Sequence, residues 1–189
     1  MITIKERGKI GVGLFILSEI NFFLLLIVAY VYYHAMPGPG PTAATALNTT
    51  RTALFSLALF GSSATIWLAS RAARRGDSAG LIRWLGTTIA LGALFIFGQA
   101  KEYYDLITSG VGVGRNLFAT TFFTLTGFHG LHVIMGLVAL SVTLVLALKG
   151  NLHEETTDGF GAVEWYWHFV DAVWVVVFSV VYLWGASPS

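Results

Sequence analysis

The chain has 189 residues, 56% of them apolar and only 11% charged, well under the roughly 25% usual in soluble domains. With a mean hydropathy of +0.73 that balance points to an integral membrane protein, and a net charge of +1 gives no footing for nucleic acid. No cysteine is present, which excludes disulfides, thiolate metal sites and any copper centre built on a cysteine pair.

Hydropathy and breakers predict an all-α membrane protein, a single transmembrane domain over 1–189 with five transmembrane helices in one bundle. Residues 1–9 are short and basic. The apolar run after them outlasts a signal-peptide core and ends in no small-residue cleavage site, so it reads as a retained helix. The first helix covers about 10–33 and holds Glu19 and Asn21 in an otherwise apolar segment. MPGPGPT at 36–42 cannot continue it. The second covers about 52–70, with Ala58, Gly61, Ser62 and Thr65 suited to close helix contact. A basic loop at 71–83 leads to the third, about 85–106, which contains Gly86, Gly92 and Gly98 and closes on the polar run 99–105. Glycines 110, 112 and 114 mark a turn. The fourth, about 117–148, has no formal charge and carries His129 and His132 on one face; it outruns the bilayer core, so it tilts or projects. A polar, acidic loop is expected at 149–162, and the fifth helix at about 164–185.

That last stretch is the most informative. Glu164, His168 and Asp171 fall at i, i+4 and i+7, one stripe of ionisable groups that must turn towards protein, because lipid cannot solvate charge. Trp165, Trp167, Trp174, Tyr182 and Trp184 cluster towards the two ends, as rings do at membrane interfaces. Trp165 to Gly185 spans 21 residues, roughly 31 Å of helix and enough to cross a bilayer core.

Rise per residue puts Glu19 about 13 Å along the first helix. His129 and His132 come out near mid-membrane, Gln99 and Glu102 near the outer edge of the third helix, and the Glu164–His168–Asp171 stripe in the cytoplasmic third. These groups do not converge on one depth. A di-metal carboxylate bundle needs Glu and Glu-x-x-His ligands at similar depth, and that pattern is missing. A bis-histidine haem has one open pairing, His129 with His168. Against it stands interhelical hydrogen bonding by His129 and His132, since neutral imidazole donates and accepts at once. Glu102, beside Lys101 and Tyr103, has an equally plain reading as an interfacial hydrogen-bonded group.

FILSEINFF in the first helix, GQAKEYYDL in the third, FFTLTGFHGLHVIMG in the fourth, and EWYWHFVDAVW with YLWG in the fifth together resemble one family, subunit III of the haem–copper terminal oxidases. LNT at 47–49 and SSAT at 62–65 match more weakly. The chain resembles the short form that lacks the first two helices of the long form, as carried by bacterial quinol oxidases and some cytochrome c oxidases. The resemblance implies a cofactor-free accessory subunit in a bacterial cytoplasmic membrane, docked on the catalytic subunit I beside subunit II and other oxidase subunits. Haems and copper would sit in those partners, phospholipid would bind here, and the complex would reduce dioxygen to water while pumping protons. No catalytic, cofactor-binding or metal-ligating residue is implied in this chain. Glu19 matches the family's intramembrane carboxylate, tied to carbodiimide labelling and to proton uptake by the catalytic subunit. His129, His132, Glu164, His168 and Asp171 match positions of the polar bundle interior, to which Gln99 and Glu102 are added. The residue chemistry agrees: the catalytic subunit needs more histidine ligands than the five histidines here, and His34 and His153 fall in expected loops. The alternatives are an accessory protein of a nitric oxide reductase, or a small proton or solute carrier using Glu19. Against a carrier, the helices show no internal repeat.

Positive charge sets an expected orientation. Lys5, Arg7, Lys9, Arg71, Arg74, Arg75, Arg83 and Lys149 lie on one side against Arg51 and Arg115 on the other, which puts the N-terminus in the cytoplasm and the C-terminus outside. A cysteine placed at Ser78 should therefore resist an impermeant thiol reagent added to intact cells. Labelling from outside would reverse the topology.

Overall fold

The computed structural model describes residues 4–36, 39–150 and 154–186, with side chains from residue 10 in the first segment and 159 in the last. His153 lies outside the described residues, as do the side chains of Lys5, Arg7 and Lys9. Five long helices make up the fold: α1 (Ile4–His34), α3 (Thr49–Arg74), α4 (Ser78–Thr108), α5 (Leu117–Leu148) and α6 (Glu154–Phe178). A single turn, α2 (Ala43–Ala46), precedes α3, and a π-helical turn, Ser179–Trp184, finishes α6. Each long helix carries a stretch long and apolar enough to cross a membrane, and no strand occurs among the described residues.

Caps explain where the helices differ from expectation. Asn48 Oδ1 accepts from Arg51 N at 3.0 Å, so α3 begins at Thr49, ahead of its apolar run. Asp77 Oδ1 accepts from Gly80 N at 2.8 Å and starts α4 at Ser78. The expected basic loop at 71–83 therefore shrinks to residues 75–77, with Arg83 inside a helix. Gly76 sits there at φ +71°, and Asp77 N bonds back to Ala72 O at 3.0 Å, the reversal that a left-handed residue permits. Gly110, at φ +82°, ends α4 in the same way, with Val111 N bonded to Leu106 O at 2.9 Å. The acidic loop expected at 149–162 is mostly helix, because α6 already runs from Glu154. Extending a formed helix through a glycine costs only about 1 kcal/mol. His34, expected in a loop, is the last residue of α1, its ring 4.6 Å from that of Trp184.

α6 is the most enclosed helix and α1 the least, with 44% and 6% of their apolar windows buried. α3 and α4 pack tightly against each other. Thr65 and Thr88 share a hydrogen bond at 2.7 Å, and Gly98 leaves room for the Phe55 ring. α5 joins α4 through Tyr103 Oη and Thr126 Oγ1, 2.7 Å apart. α6 lies against α3, α5 and α1. Its aromatic residues depart from the expected interfacial placement. Trp167, Trp174 and Tyr182 are fully buried, and only Trp165 and Trp184 face outward. Their helix face, not their distance from the helix end, decides this: Trp167 and Trp174 are seven residues apart and point the same way.

Trp167 occupies the middle of the bundle. Its Nε1–H donates to Ser62 Oγ of α3 at 2.9 Å, and Ser62 in turn donates to Leu59 O at 2.5 Å. A methyl on Gly92 of α4 would stand 2.8 Å from Cη2 of that indole, and one on Gly136 of α5 2.7 Å from Cε3. Gly136→Ala should therefore destabilise the chain by about 1–3 kcal/mol, the cost of overpacking a filled core. Gly130→Ala on the same helix, where a Cβ meets nothing within 4 Å, should be neutral or slightly stabilising. Thermal unfolding of the two variants in detergent checks the contrast.

Candidate functional site

The ionisable groups inside the bundle fall into three clusters. The first joins α1 to α5. His132 Nε2 lies 3.0 Å from Glu19 Oε2, and His132 Nδ1 lies 2.7 Å from Phe128 O. A carbonyl only accepts, so Nδ1 carries a hydrogen. Nε2 then either accepts from a protonated Glu19 or, as imidazolium, donates to its carboxylate. Either way the two groups hold one proton between them and the pair has no net charge, the arrangement that a low-dielectric site tolerates best. Tyr166 Oη donates to His132 O at 3.0 Å. Phe23 meets the imidazole edge-on at 4.9 Å, and Phe22 stacks on it at 6.2 Å. The Glu19 side chain keeps 20% exposure against 7% for His132, so the carboxyl marks the open end.

The second cluster is the seam between α3 and α6. Ser70 Oγ donates to Glu164 Oε2 at 2.7 Å and accepts from Arg74 Nη1 at 2.6 Å. Ser63 Oγ donates to Asp171 Oδ2 and so accepts from His168 Nδ1, 3.2 Å away. Trp174 Nε1 donates to Ser56 Oγ at 2.8 Å, and Thr49 Oγ1 to Tyr182 O at 3.4 Å. Thr49, Ser56, Ser63 and Ser70 are spaced by seven, as are Glu164 and Asp171, or Trp167 and Trp174, on the facing helix. That repeat keeps one hydroxyl per two turns aimed at α6 as the helices run antiparallel. The Glu164–His168–Asp171 stripe thus bonds across to α3 and not within itself. Asp171 is buried, while Glu164 and His168 are half-buried.

The third cluster lies between α3, α4 and the π turn. Glu102 is buried. Its Oε2 receives Tyr182 Oη at 2.6 Å, and its Oε1 lies 3.0 Å from Thr52 Oγ1. Arg51 Nη1 pairs with Asp105 Oδ2 at 2.5 Å beside it, and Lys101 reaches Asp105 Oδ1 at 3.5 Å. One turn towards the bundle centre, the Gln99 amide faces the hydroxyls of Tyr103 and Tyr182 at a geometry short of a hydrogen bond.

His129 departs from expectation. Neither ring nitrogen has a protein hydrogen-bond partner, so it ties no helices together by that means. Its imidazole instead stacks on Trp174 at 4.8 Å, with Phe95 and Phe23 edge-on at 6.0 and 6.4 Å. The His129–His168 haem pairing has no counterpart, since His168 turns to Ser63 on α3. Among the described residues no group of three or more His, Asp or Glu is placed to hold a metal. Glu19 and His132 stand out singly in the sequence but not as a pair, and Ser56, Ser63 and Ser70 lie outside the expected site residues. The seven-residue hydroxyl repeat was the available signal.

The chain is similar to known proteins along nearly its whole length. The chain matches the sequence profile of cytochrome c oxidase subunit III over residues 2–186. It is 42% identical over 176 residues to a cytochrome c oxidase subunit 3 of Synechocystis sp., covering 92% of this chain and 74% of that protein. A probable cytochrome c oxidase subunit 3 of Mycobacterium leprae is 36% identical over 174 residues, covering 92% and 86%. The cytochrome c oxidase subunit 3 of Sus scrofa is 37% identical over 192 residues, covering 97% and 72%.

The shared proton separates two substitutions. Glu19→Gln keeps a donor for His132 Nε2 and should change stability by less than about 1 kcal/mol, whereas His132→Leu strands the Glu19 carboxyl at about 1–3 kcal/mol. Detergent melting curves read both. Equal losses in the two variants would contradict the pairing.

Proposed function

The chain belongs to the cytochrome c oxidase subunit III family, and on that premise we propose that its polar interior sustains proton uptake by the catalytic subunit through Glu19. As a member of that family it is a non-catalytic accessory subunit of a haem–copper oxidase, the membrane complex that reduces dioxygen.

The observation that carries the proposal is the Glu19–His132 bond. Glu19 is the one carboxyl of α1 within its apolar span, partly open and backed by an imidazole that can take or return the shared proton. A carboxyl so placed can give up the shared proton to a neighbouring acceptor, leaving the pair with one negative charge until a second proton replaces it. The relatives' shared name supports cytochrome c as the electron donor. In the proposed role the subunit docks on catalytic subunit I beside subunit II in a bacterial cytoplasmic membrane. Phospholipid lies along the exposed apolar face of α1, which includes Leu14, Leu17 and Leu25. Arg71 lies over the exposed ring of Trp67 at 5.4 Å, and with Arg74 and Arg75 it meets anionic headgroups at about 1 kcal/mol per charge.

Glu19→Gln in the assembled oxidase tests this, because it keeps the shape and removes the exchangeable proton. Steady-state activity should fall below that of the unmodified complex towards about pH 9, and the variant should survive fewer turnovers. Unchanged activity and survival, with full assembly, would leave Glu19 a structural role alone.

A further inference from the structure

We propose that ordered water sits between Gln99 of α4 and His129 of α5 and makes this part of the bundle an internal hydration site. Both ring nitrogens of His129 and both amide heavy atoms of Gln99 are enclosed with no protein hydrogen-bond partner. His129 is 1% exposed and Gln99 7%. Neutral imidazole presents one donor and one acceptor, and a primary amide two donors and a carbonyl. The rings of Phe23, Phe95 and Trp174 around His129 can answer none of these. Buried polar groups in native proteins are hydrogen-bonded, to protein or to water.

Helix register brings the two residues to one place. On α4, Phe95, Gln99 and Tyr103 follow one another a turn apart on a single face. Phe95 meets the His129 ring at 6.0 Å, and Tyr103 bonds to Thr126, one turn before His129. Gln99 lies between those contacts and so faces the 126–129 turn of α5. From α6, Trp174 stacks on His129 and lies 6.1 Å from the Tyr182 ring, whose hydroxyl reaches Glu102 beyond Gln99. The polar groups thus run Glu102, Tyr182, Gln99, His129: the Gln99 amide has the Tyr103 and Tyr182 hydroxyls near it without a full hydrogen bond, and the His129 nitrogens have no protein partner. A molecule that both donates and accepts, and is small enough to lie among aromatic rings, completes the run. Phe23, edge-on to both His129 and His132, separates this site from the Glu19 pair. The inference therefore stands apart from the role assigned to Glu19.

The measurement is a cryo-EM map of the assembled oxidase, at a resolution where waters appear elsewhere in its membrane part. Density is expected at about 2.7–3.2 Å from a His129 ring nitrogen and from a Gln99 amide atom. Gln99→Leu should weaken or remove it, and Gln99→Leu with His129→Phe should abolish it. A wild-type map that resolves both side chains without such density would overturn the proposal, as would a direct Gln99–His129 hydrogen bond. Density that survives the double substitution would overturn it too. Should the double variant fail to assemble, the wild-type and Gln99→Leu maps decide.

Discussion

The indole of Trp167 can lie at the centre of the bundle only because two helices beside it carry glycine where its ring passes. Gly92 and Gly136 leave the space, and Ser62 on a third helix receives the indole N–H. One side chain of α6 thereby fixes how closely α3, α4 and α5 approach it. In lipid, where apolar burial does not drive helices together, such shape fit and interhelical hydrogen bonding must hold the bundle. Trp174 repeats the arrangement two turns on, with Ser56 in place of Ser62 and His129 stacked on its face. The other contacts of α6 depend on this spacing. Ser63 and Ser70 reach Asp171 and Glu164 because the two tryptophans have set the register of α3 against α6.

The polar groups obey a second constraint, that lipid solvates neither charge nor an open hydrogen bond. Glu102 is closed by Tyr182 and Thr52, and Glu164 by Ser70. Glu19 differs because it fastens the helix with the least buried surface. Its bond to His132 is the polar tie of α1 to α5, and the ring faces of Phe22 and Phe23 pack around it. A group placed to anchor an edge helix is also placed to meet whatever lies beyond that edge. The proton-handling role proposed for Glu19 would fall on the same pair of side chains that ties α1 to α5.

Much of this was legible in the residues. Hydropathy located five spanning helices, and α5 begins and ends where its apolar run does. The starts of α3 and α4 lie earlier than the apolar runs for a physical reason: caps at Asn48 and Asp77 begin these helices ahead of any apolar signal. Distance from the helix end predicts interfacial tryptophans in α6, whereas the face that Trp167 and Trp174 share carries them into the core. Glu19 and His132 were each recognisable as costly groups in a membrane. Their pairing spans 113 residues between two helices, and spacing rules hold only within one helix. The hydroxyl repeat at Thr49, Ser56, Ser63 and Ser70 is visible in the sequence, and two of the small residues expected at the contact, Ser62 and Thr65, meet Trp167 and Thr88.

The shared proton is the claim on which the functional account turns, and nitrogen NMR of the assembled oxidase reads it directly. With histidine labelled in this chain, a His132 substitution assigns its ring signals among the five histidines. The account predicts a protonated Nδ1 throughout, and an Nε2 signal that shifts when Glu19 becomes Gln. A bare Nδ1 with a protonated Nε2, or an Nε2 signal indifferent to Glu19→Gln, would contradict it.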